Sequence, residues 1–592
     1  MRERRGGSVT TNVARHVARR GRVLLVLTIA VVALGCNVAS IAAASPGGYW
    51  TNAITVPGLT TLVSNAVLKG AISCTSDGNC VSGGAYLDAS GAQQAFVDSE
   101  VNGVWSSAEE VAASLNVGGL ASIYAVSCPS VGSCTAAGGF TDGSGRAHAF
   151  AVSQTNGEWG DPVAIADATA LSKGDVITIQ KLSCSSDSDC NAVGAVASAA
   201  NQTEQPLAFK EVGGVWDTPF VLPGLATLNP SGIGIVGELS CPSASSCSVG
   251  GAVIDLSNFE ITGFLDDEVN GVWGSVFLPS GIDAPAQGNI STVDSVSCYA
   301  SGDCTAGGTV TQGSVVGEAY VVTELNGVWG SVQDLPGVDG LNQDQNAVLS
   351  GLSCTAPGDC SATGSYDDGS QQVQTFVDSE VNGLWQDAIP VPGMNPLNGD
   401  IGSLPVSISC SSPGNCTSGG DYVDDGLAVT PTQAYLVNEV NGAWADVTEV
   451  PGTETLNRGD VATVTEVSCS ADSACGVVGT FQDATHTTRE FLTSSSSTSP
   501  YLIASAPRRV TATFRTGRVV VKWLAPTNDG GTPILSYSVT SVPRSTTCRA
   551  KGATSCTFRK LKKNVHYTFQ VRALNVRGSS APSTKSNVVV TH

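Results

Sequence analysis

The chain has 592 residues, of which 42% are hydrophobic and only 14% charged, with 68 Gly and 19 Cys. That length exceeds one ordinary core, and the Gly-rich, charge-poor mixture favours many short strands joined by turns over helices. The net charge of -22 is split: residues 45–500 hold 7 basic and 49 acidic residues, whereas 501–592 hold 15 basic residues and the single acid Asp529. So acidic a body should repel nucleic acid and anionic membranes and attract cations or basic partners.

In chain order, the first element is an export signal. Arg15, Arg19, Arg20 and Arg22 precede an apolar run from Val23 to Leu34, and Ala42-Ala43-Ala44 offers an A-x-A cleavage site. Residues 1–44 therefore read as a signal peptide of a secreted or cell-surface protein. The rival is an uncleaved membrane anchor, the only route by which this chain would meet a membrane. Cleavage removes Cys36 and leaves 18 cysteines in nine close pairs, the pattern of an oxidising compartment.

Eight of the pairs share the spacing C-x5-C: Cys74/Cys80, Cys128/Cys134, Cys184/Cys190, Cys241/Cys247, Cys298/Cys304, Cys354/Cys360, Cys410/Cys416 and Cys469/Cys475. Their first members recur every 54–59 residues, which means a repeat architecture. Ser precedes each first Cys, from Ser73 to Ser468. Gly follows each second Cys by about four residues, as at Gly84, Gly138 and Gly364. Each unit reads as four strands. The third and fourth are joined by Asn-Gly at Asn102, Asn156, Asn270, Asn326, Asn382 and Asn441, a dipeptide that supplies the two positive φ angles of a tight hairpin. Trp follows two residues later, as at Trp105 and Trp444, and is expected to pack between units.

Four-stranded units repeated eight times predict an all-β, eight-bladed β-propeller over residues 45–492. The eighth unit lacks a Gly-x-Trp strand, and an orphan Gly48-Tyr49-Trp50 precedes the first, so the N-terminal strand is expected to complete the last blade and close the ring. An open β-solenoid is the alternative. Paired cysteines across a five-residue loop face each other at about 4.5–5.5 Å, within disulfide range, whereas zinc would need ligands beyond His148 and His486. The S-C-x5-C-x-x-x-G repeat resembles a family of secreted bacterial propeller proteins, a resemblance that implies fold and export but little chemistry. A more distant likeness to sialidase and kelch-type propellers carries no residues over, because the Asp-box S-x-D-x-G-x-x-W is absent.

A Ser/Thr-rich linker, 493–503, leads to a last domain at 504–592. There Val519-Val520-Val521-Lys522-Trp523, Tyr537, Leu561, Tyr567 and Phe569-Gln570-Val571-Arg572-Ala573 resemble a fibronectin type III sandwich, with Leu561 and Tyr567 in the tyrosine-corner pattern. The resemblance implies a spacer or adhesion module, stapled here by Cys548/Cys556. Arg559, Lys560, Lys562 and Lys563 would suit an anionic cell-wall polymer, or form a solvated turn.

No P-loop, G-x-S-x-G or H-E-x-x-H occurs. Six units place Asp four residues after the recurrent Gly: Asp88, Asp142, Asp255, Asp368, Asp424 and Asp483. Either these form a partial ring for Ca²⁺ or a cationic ligand, or each makes a local Asx turn. Glu100, Glu268, Glu324, Glu380 and Glu439, two residues before Asn-Gly, read as solvated charges guarding an outer strand. Together these features predict an extracellular, non-enzymatic binding or adhesion protein. The propeller would be the recognition platform for a glycan or protein, and the last domain a spacer or surface tether. The alternatives are a glycan-active hydrolase or lyase and a structural surface scaffold.

Overall fold

A computed structural model describes residues 49–591, apart from 60–69, 168–174, 199–202, 229–232, 256–259, 283–289, 312–316, 396–401, 424–431, 497–503, 527–533 and a few shorter breaks. The export signal, Asp424 and most of the expected linker lie outside the described residues. Among the described residues no helix is long and apolar enough to cross a membrane.

The described chain is all-β. Its first part is eight repeated antiparallel units, and the first unit shows the pattern. Strand Ala71–Ser76 pairs with Asn79–Leu87, which pairs with Gln93–Val101. The fourth strand is broken into two short pieces, Val104–Trp105 and Glu109–Glu110, both paired with the third. The Asn-Gly hairpins form as expected, with φ of 51° at Asn102 and 80° at Gly103. Each hairpin also leans on the C-x5-C turn of its own unit. Gly103 N donates to Gly78 O at 2.8 Å and Gly157 N to Gly132 O at 2.8 Å. The residue before the second Cys can add a cap: Asn102 N donates to Asn79 Oδ1, and Asn326 N to Asp303 Oδ1.

The recurrent Gly faces a large apolar side chain across the sheet. Gly84 pairs with Phe96, Gly138 with Phe150, Gly364 with Phe376 and Gly479 with Phe491. These rings are fully buried at 0% exposure, so they fill the unit from a position the Gly leaves free. At Gly364 a Cβ would lie 2.3 Å from Val348 O and 2.4 Å from Phe376 Cζ. Gly is required there for space.

The C-x5-C cysteines form disulfides between directly facing strand residues, with Cα–Cα separations of 3.9–4.1 Å. They are more than staples of a loop, which is all that the spacing suggested. The second members, Cys80, Cys134, Cys190, Cys247, Cys304, Cys360, Cys416 and Cys475, are only 1–5% exposed. The reason is position: each stands on the second strand, which lies between the first and third and packs against the preceding unit. Several of these sulfurs touch a hydroxyl of the preceding unit. Thr135 Oγ1 lies 3.7 Å from Cys190 Sγ, Ser248 Oγ 3.3 Å from Cys304 Sγ, Thr305 Oγ1 3.6 Å from Cys360 Sγ and Ser361 Oγ 3.2 Å from Cys416 Sγ. Cys80 packs with Ile72 and Val478 where the first and eighth units meet, and Cys247 with Val193 and Val249 between the third and fourth. Bonded and buried, these cysteines are core residues of the joints and are not available to a ligand or a metal.

In seven of the units the Ser before the first Cys also joins one unit to the next. Ser73 Oγ accepts from Cys128 N, Ser127 from Cys184 N, Ser240 from Cys298 N, Ser297 from Cys354 N, Ser353 from Cys410 N and Ser409 from Cys469 N. Ser468, in the last unit, accepts from Cys74 N in the first at 3.0 Å. The Ser-Cys dipeptide thus carries both a staple within a unit and a bond between units.

The N-terminal strand Tyr49–Trp50 pairs with Thr488–Ser496, opposing Ser496 and Ser495. Ile54 and Thr55 continue against Leu492 and Phe491. Residues 493–496 therefore do not begin a linker, as the Ser run suggested. They extend the third strand of the eighth unit, and Thr493 and Ser495 are each 1% exposed. Small polar side chains suit this position because they bond to the neighbouring strands and units: Thr493 Oγ1 donates to Thr51 O at 2.8 Å, Ser495 Oγ accepts from Cys475 N, and Ser494 Oγ donates to Glu100 of the first unit.

The last part is a two-sheet sandwich. Strands Arg508–Arg515, Arg518–Leu524 and Ser555–Phe558 form one sheet, while Ser536–Val542, Thr547–Ala550 and His566–Asn575 belong to the other. Trp523, Tyr537, Tyr567 and Phe569 fill the space between them. Tyr567 Oη accepts from Lys562 N at 3.2 Å, the bond of a tyrosine corner. Cys548 and Cys556 are disulfide-bonded with Cα atoms 6.3 Å apart, linking the two sheets.

Candidate functional site

The first strands of the repeated units converge on one cavity of about 460 Å³. Residues three and four positions before the first Cys line it, drawn from all eight units. These positions are equivalent in the repeat but differ in chemistry. Gly70, Gly237 and Ser350 are small, whereas Tyr124, Gln180, Lys181, Glu238, Asp294 and Glu466 bring an aromatic ring, an amide, one cation and three acids.

Lys181 Nζ is ion-paired with Glu238 on the neighbouring unit. Burial opposes the Lys181 charge, but Glu238 and the more distant Glu466 outweigh it and raise its pKa. Glu466 Oε2 accepts from Ile72 N at 3.2 Å. Burial raises the Asp294 pKa against a 2.7 Å bond from Thr292 Oγ1. Tyr124 is 36% exposed, and partial burial of its hydroxyl raises its pKa. The cavity thus offers a ring face beside fixed donors and acceptors of both charges, within the size range of small-molecule sites. The sequence contained the signal: two variable positions beside an otherwise regular Ser-Cys. It lacked the reason to single them out, because only the tertiary arrangement turns eight separate strands toward one space.

The recurrent Asp residues sit elsewhere, in the turns between second and third strands. Asp88 accepts from Ser90 N and Oγ and from Ala92 N. Asp142 accepts from Ser144 and Arg146 amides, Asp368 from Ser370 and Gln372, and Asp483 from Thr485 and Thr487. Those bonds hold Asp88 down to about 2, chiefly through the Ser90 hydroxyl, and lower Asp142 and Asp483 further. Asp255 ends a strand, facing Glu260 across the hairpin. Such bonding is that of Asx turns, each carboxylate serving its own loop. Among the described residues no group of three or more His, Cys, Asp or Glu side chains is placed to hold a metal ion.

One Asp turn gains a second role. His148 Nδ1 lies 2.9 Å from Asp167 Oδ1 and its Nε2 3.3 Å from Asp142 Oδ2, with the ring stacked on Phe140 at 5.4 Å. Burial alone would depress the His148 pKa, but the two carboxylates prevail and raise it.

The glutamates before Asn-Gly are not solvated, contrary to the sequence reading. Glu100, Glu268 and Glu439 are only 1–3% exposed, and Glu324 and Glu380 are buried too. They face inward between units rather than outward on an edge. Glu439 accepts from Ser361 Oγ at 2.7 Å and Ser379 Oγ at 2.6 Å, and Glu268 pairs with Lys210 of the preceding unit. Burial pushes Glu324 up to about 7. The recurring Trp side chains also tie units together: Trp329 Nε1 donates to Asp267 at 2.8 Å and Trp444 Nε1 to Ser379 Oγ at 3.0 Å. Arg559, Lys560, Lys562 and Lys563 are exposed on one turn of the sandwich.

Residues 505–589 match the fibronectin type III domain family. A titin homolog from Caenorhabditis elegans is 38% identical over 82 residues, 12% of this chain and a share of that protein that rounds to 0%. Among solved structures, the titin kinase with its flanking domains is 29% identical over 15% of this chain and 17% of that one, with a TM-score of 0.14. A GH74 xyloglucanase from Xanthomonas campestris aligns over 92% of this chain and 81% of its own, at 8% identity and a TM-score of 0.38. A PL25 ulvan lyase aligns over 68% of this chain and 96% of its own, at 9% identity and a TM-score of 0.39.

Proposed function

We propose that this is an exported binding protein whose repeats form a closed eight-bladed β-propeller, with a polar ligand held at the central cavity and the fibronectin type III domain serving as spacer or tether. Closure is supported by the pairing of Tyr49–Trp50 with Thr488–Ser496 and by the Ser468–Cys74 bond, which joins the last unit to the first. Export is supported by nine disulfides and by the signal-like N-terminus.

The observation that carries the binding reading is the diversity of the cavity wall. A repeat position that only packs needs one kind of solution throughout, as the recurrent Gly and the large apolar residue facing it show. Here equivalent positions carry Tyr124, Gln180, Lys181, Glu238, Asp294 and Glu466 instead. A ring face flanked by carboxylates, an amide and an ammonium fits a glycan, whose hydroxyls need donors and acceptors and whose C–H face suits an aromatic. The test is a glycan array on the secreted protein, followed by titration of any hit against Lys181→Met and Tyr124→Ala. Saturable binding weakened at least tenfold in both variants supports the reading. Binding unchanged in both, or absent from the array, overturns it.

A further inference from the structure

At the joint between the last and first units, one repeat position carries an acid that the other seven units lack. The residue just before the large apolar residue that faces each recurrent Gly is Ala95, Ala149, Pro206, Gly263, Ala319, Thr375 or Ala434 in the first seven units. In the eighth it is Glu490, 3% exposed. Its side chain enters the first unit. Oε1 accepts from Ser82 Oγ at 3.1 Å. Oε2 occupies the space left by two glycines: a Cβ on Gly70 would lie 2.9 Å from it and one on Gly84 3.2 Å.

Among the described residues no cation accompanies this acid. The groups of the first unit that act on the same joint are Asp98, 1% exposed, and Glu100, which accepts from Ser494 Oγ at 2.7 Å. Glu466, on the first strand of the eighth unit, bonds the Ile72 amide. The adjacent Arg489 is turned to Asp483. One oxygen each of Glu490, Asp98 and Glu100 is buried without a hydrogen-bond partner among the described residues, the arrangement of a carboxylic acid rather than of a carboxylate.

We propose that this joint is a proton-dependent latch, closed while Glu490 and Asp98 are protonated and loosened when they ionise. Burial raises Glu490 from 4.5 to about 8, with Asp98 adding repulsion, and raises Asp98 to about 7. The folded joint therefore binds protons more tightly than the opened one. Its closure is fully stable below the ordinary carboxylate range and weakens as pH rises toward 8. One such group shifts the opening equilibrium about tenfold per pH unit between those limits. Gly70 also lines the central cavity, so the latch lies at its wall.

The test is hydrogen exchange on the full disulfide-bonded chain from pH 5 to 9, corrected for intrinsic rates. Peptides covering Thr488–Ser496 and Asn79–Leu87 report the joint; Ser133–Thr141, which has no ionisable side chain, is the control. The expected result is protection that falls with pH at the joint and not in the control, with Glu490→Gln flattening the fall. Equal pH dependence in joint and control overturns the proposal, and so does a Glu490→Gln variant that keeps the wild-type slope. The wild-type comparison decides alone if the variant fails to fold.

Discussion

Two classes of glycine in the repeat should respond differently to the same added methyl group. At Gly364 the backbone is ordinary, but the space is filled: a Cβ would meet Val348 O at 2.3 Å and Phe376 Cζ at 2.4 Å. One obstacle is backbone in a paired strand and the other a ring with no exposure, so neither yields without disturbing the sheet or the core. Overpacking of this kind costs about 1–3 kcal/mol, and two rigid contacts place Gly364→Ala near about 3 kcal/mol. At Gly383 nothing lies within 4 Å of a Cβ, but φ is +79°. Gly383→Ala should therefore cost only the left-handed strain, about 1–2 kcal/mol. Urea denaturation of both variants, with disulfides intact, measures the difference. A Gly364→Ala midpoint at or above that of Gly383→Ala would refute the argument that the recurrent Gly is there for space.

Other perturbations test other links. Ser297→Ala removes the acceptor for Cys354 N and leaves a buried amide unpaired, which should cost about 1–3 kcal/mol in the same denaturation assay, and Ser468→Ala should match it at the joint with Cys74. Replacing Cys128 and Cys134 together by Ser should lose more than about 2 kcal/mol, the loop-closure value for so short a loop, because Cys134 is also buried in the joint. His148 should titrate by NMR above its ordinary range. Because its folded pKa is raised, its contribution to stability is present below about 6.5 and lost as pH rises through the folded value, and His148→Gln should abolish that dependence. Trp444→Phe should lose the bond to Ser379 Oγ, about 1 kcal/mol, while keeping most of the packing.

The local structure was legible because its causes are local. Asn102-Gly103 demands positive φ wherever it occurs, C-x5-C brings two strand residues face to face, and a repeat of 54–59 residues counts the units without reference to their arrangement. The orphan Trp50 strand could also be matched to the unit lacking one, since strand number is additive. The residues between units could not be read this way. Glu439 and Glu100 look like surface acids until a neighbouring unit supplies Ser361 or Ser494 and removes the water. Ser73 looks like a strand hydroxyl until Cys128 of the next unit turns its amide toward it. Lys181 and Glu466 stand 285 residues apart in sequence, and only convergence of eight first strands makes them walls of one cavity. Burial and charge pairing depend on what approaches from elsewhere in the chain, so the sequence alone determined the units, and the tertiary structure decided which of their polar residues hold the units together and which line the shared cavity.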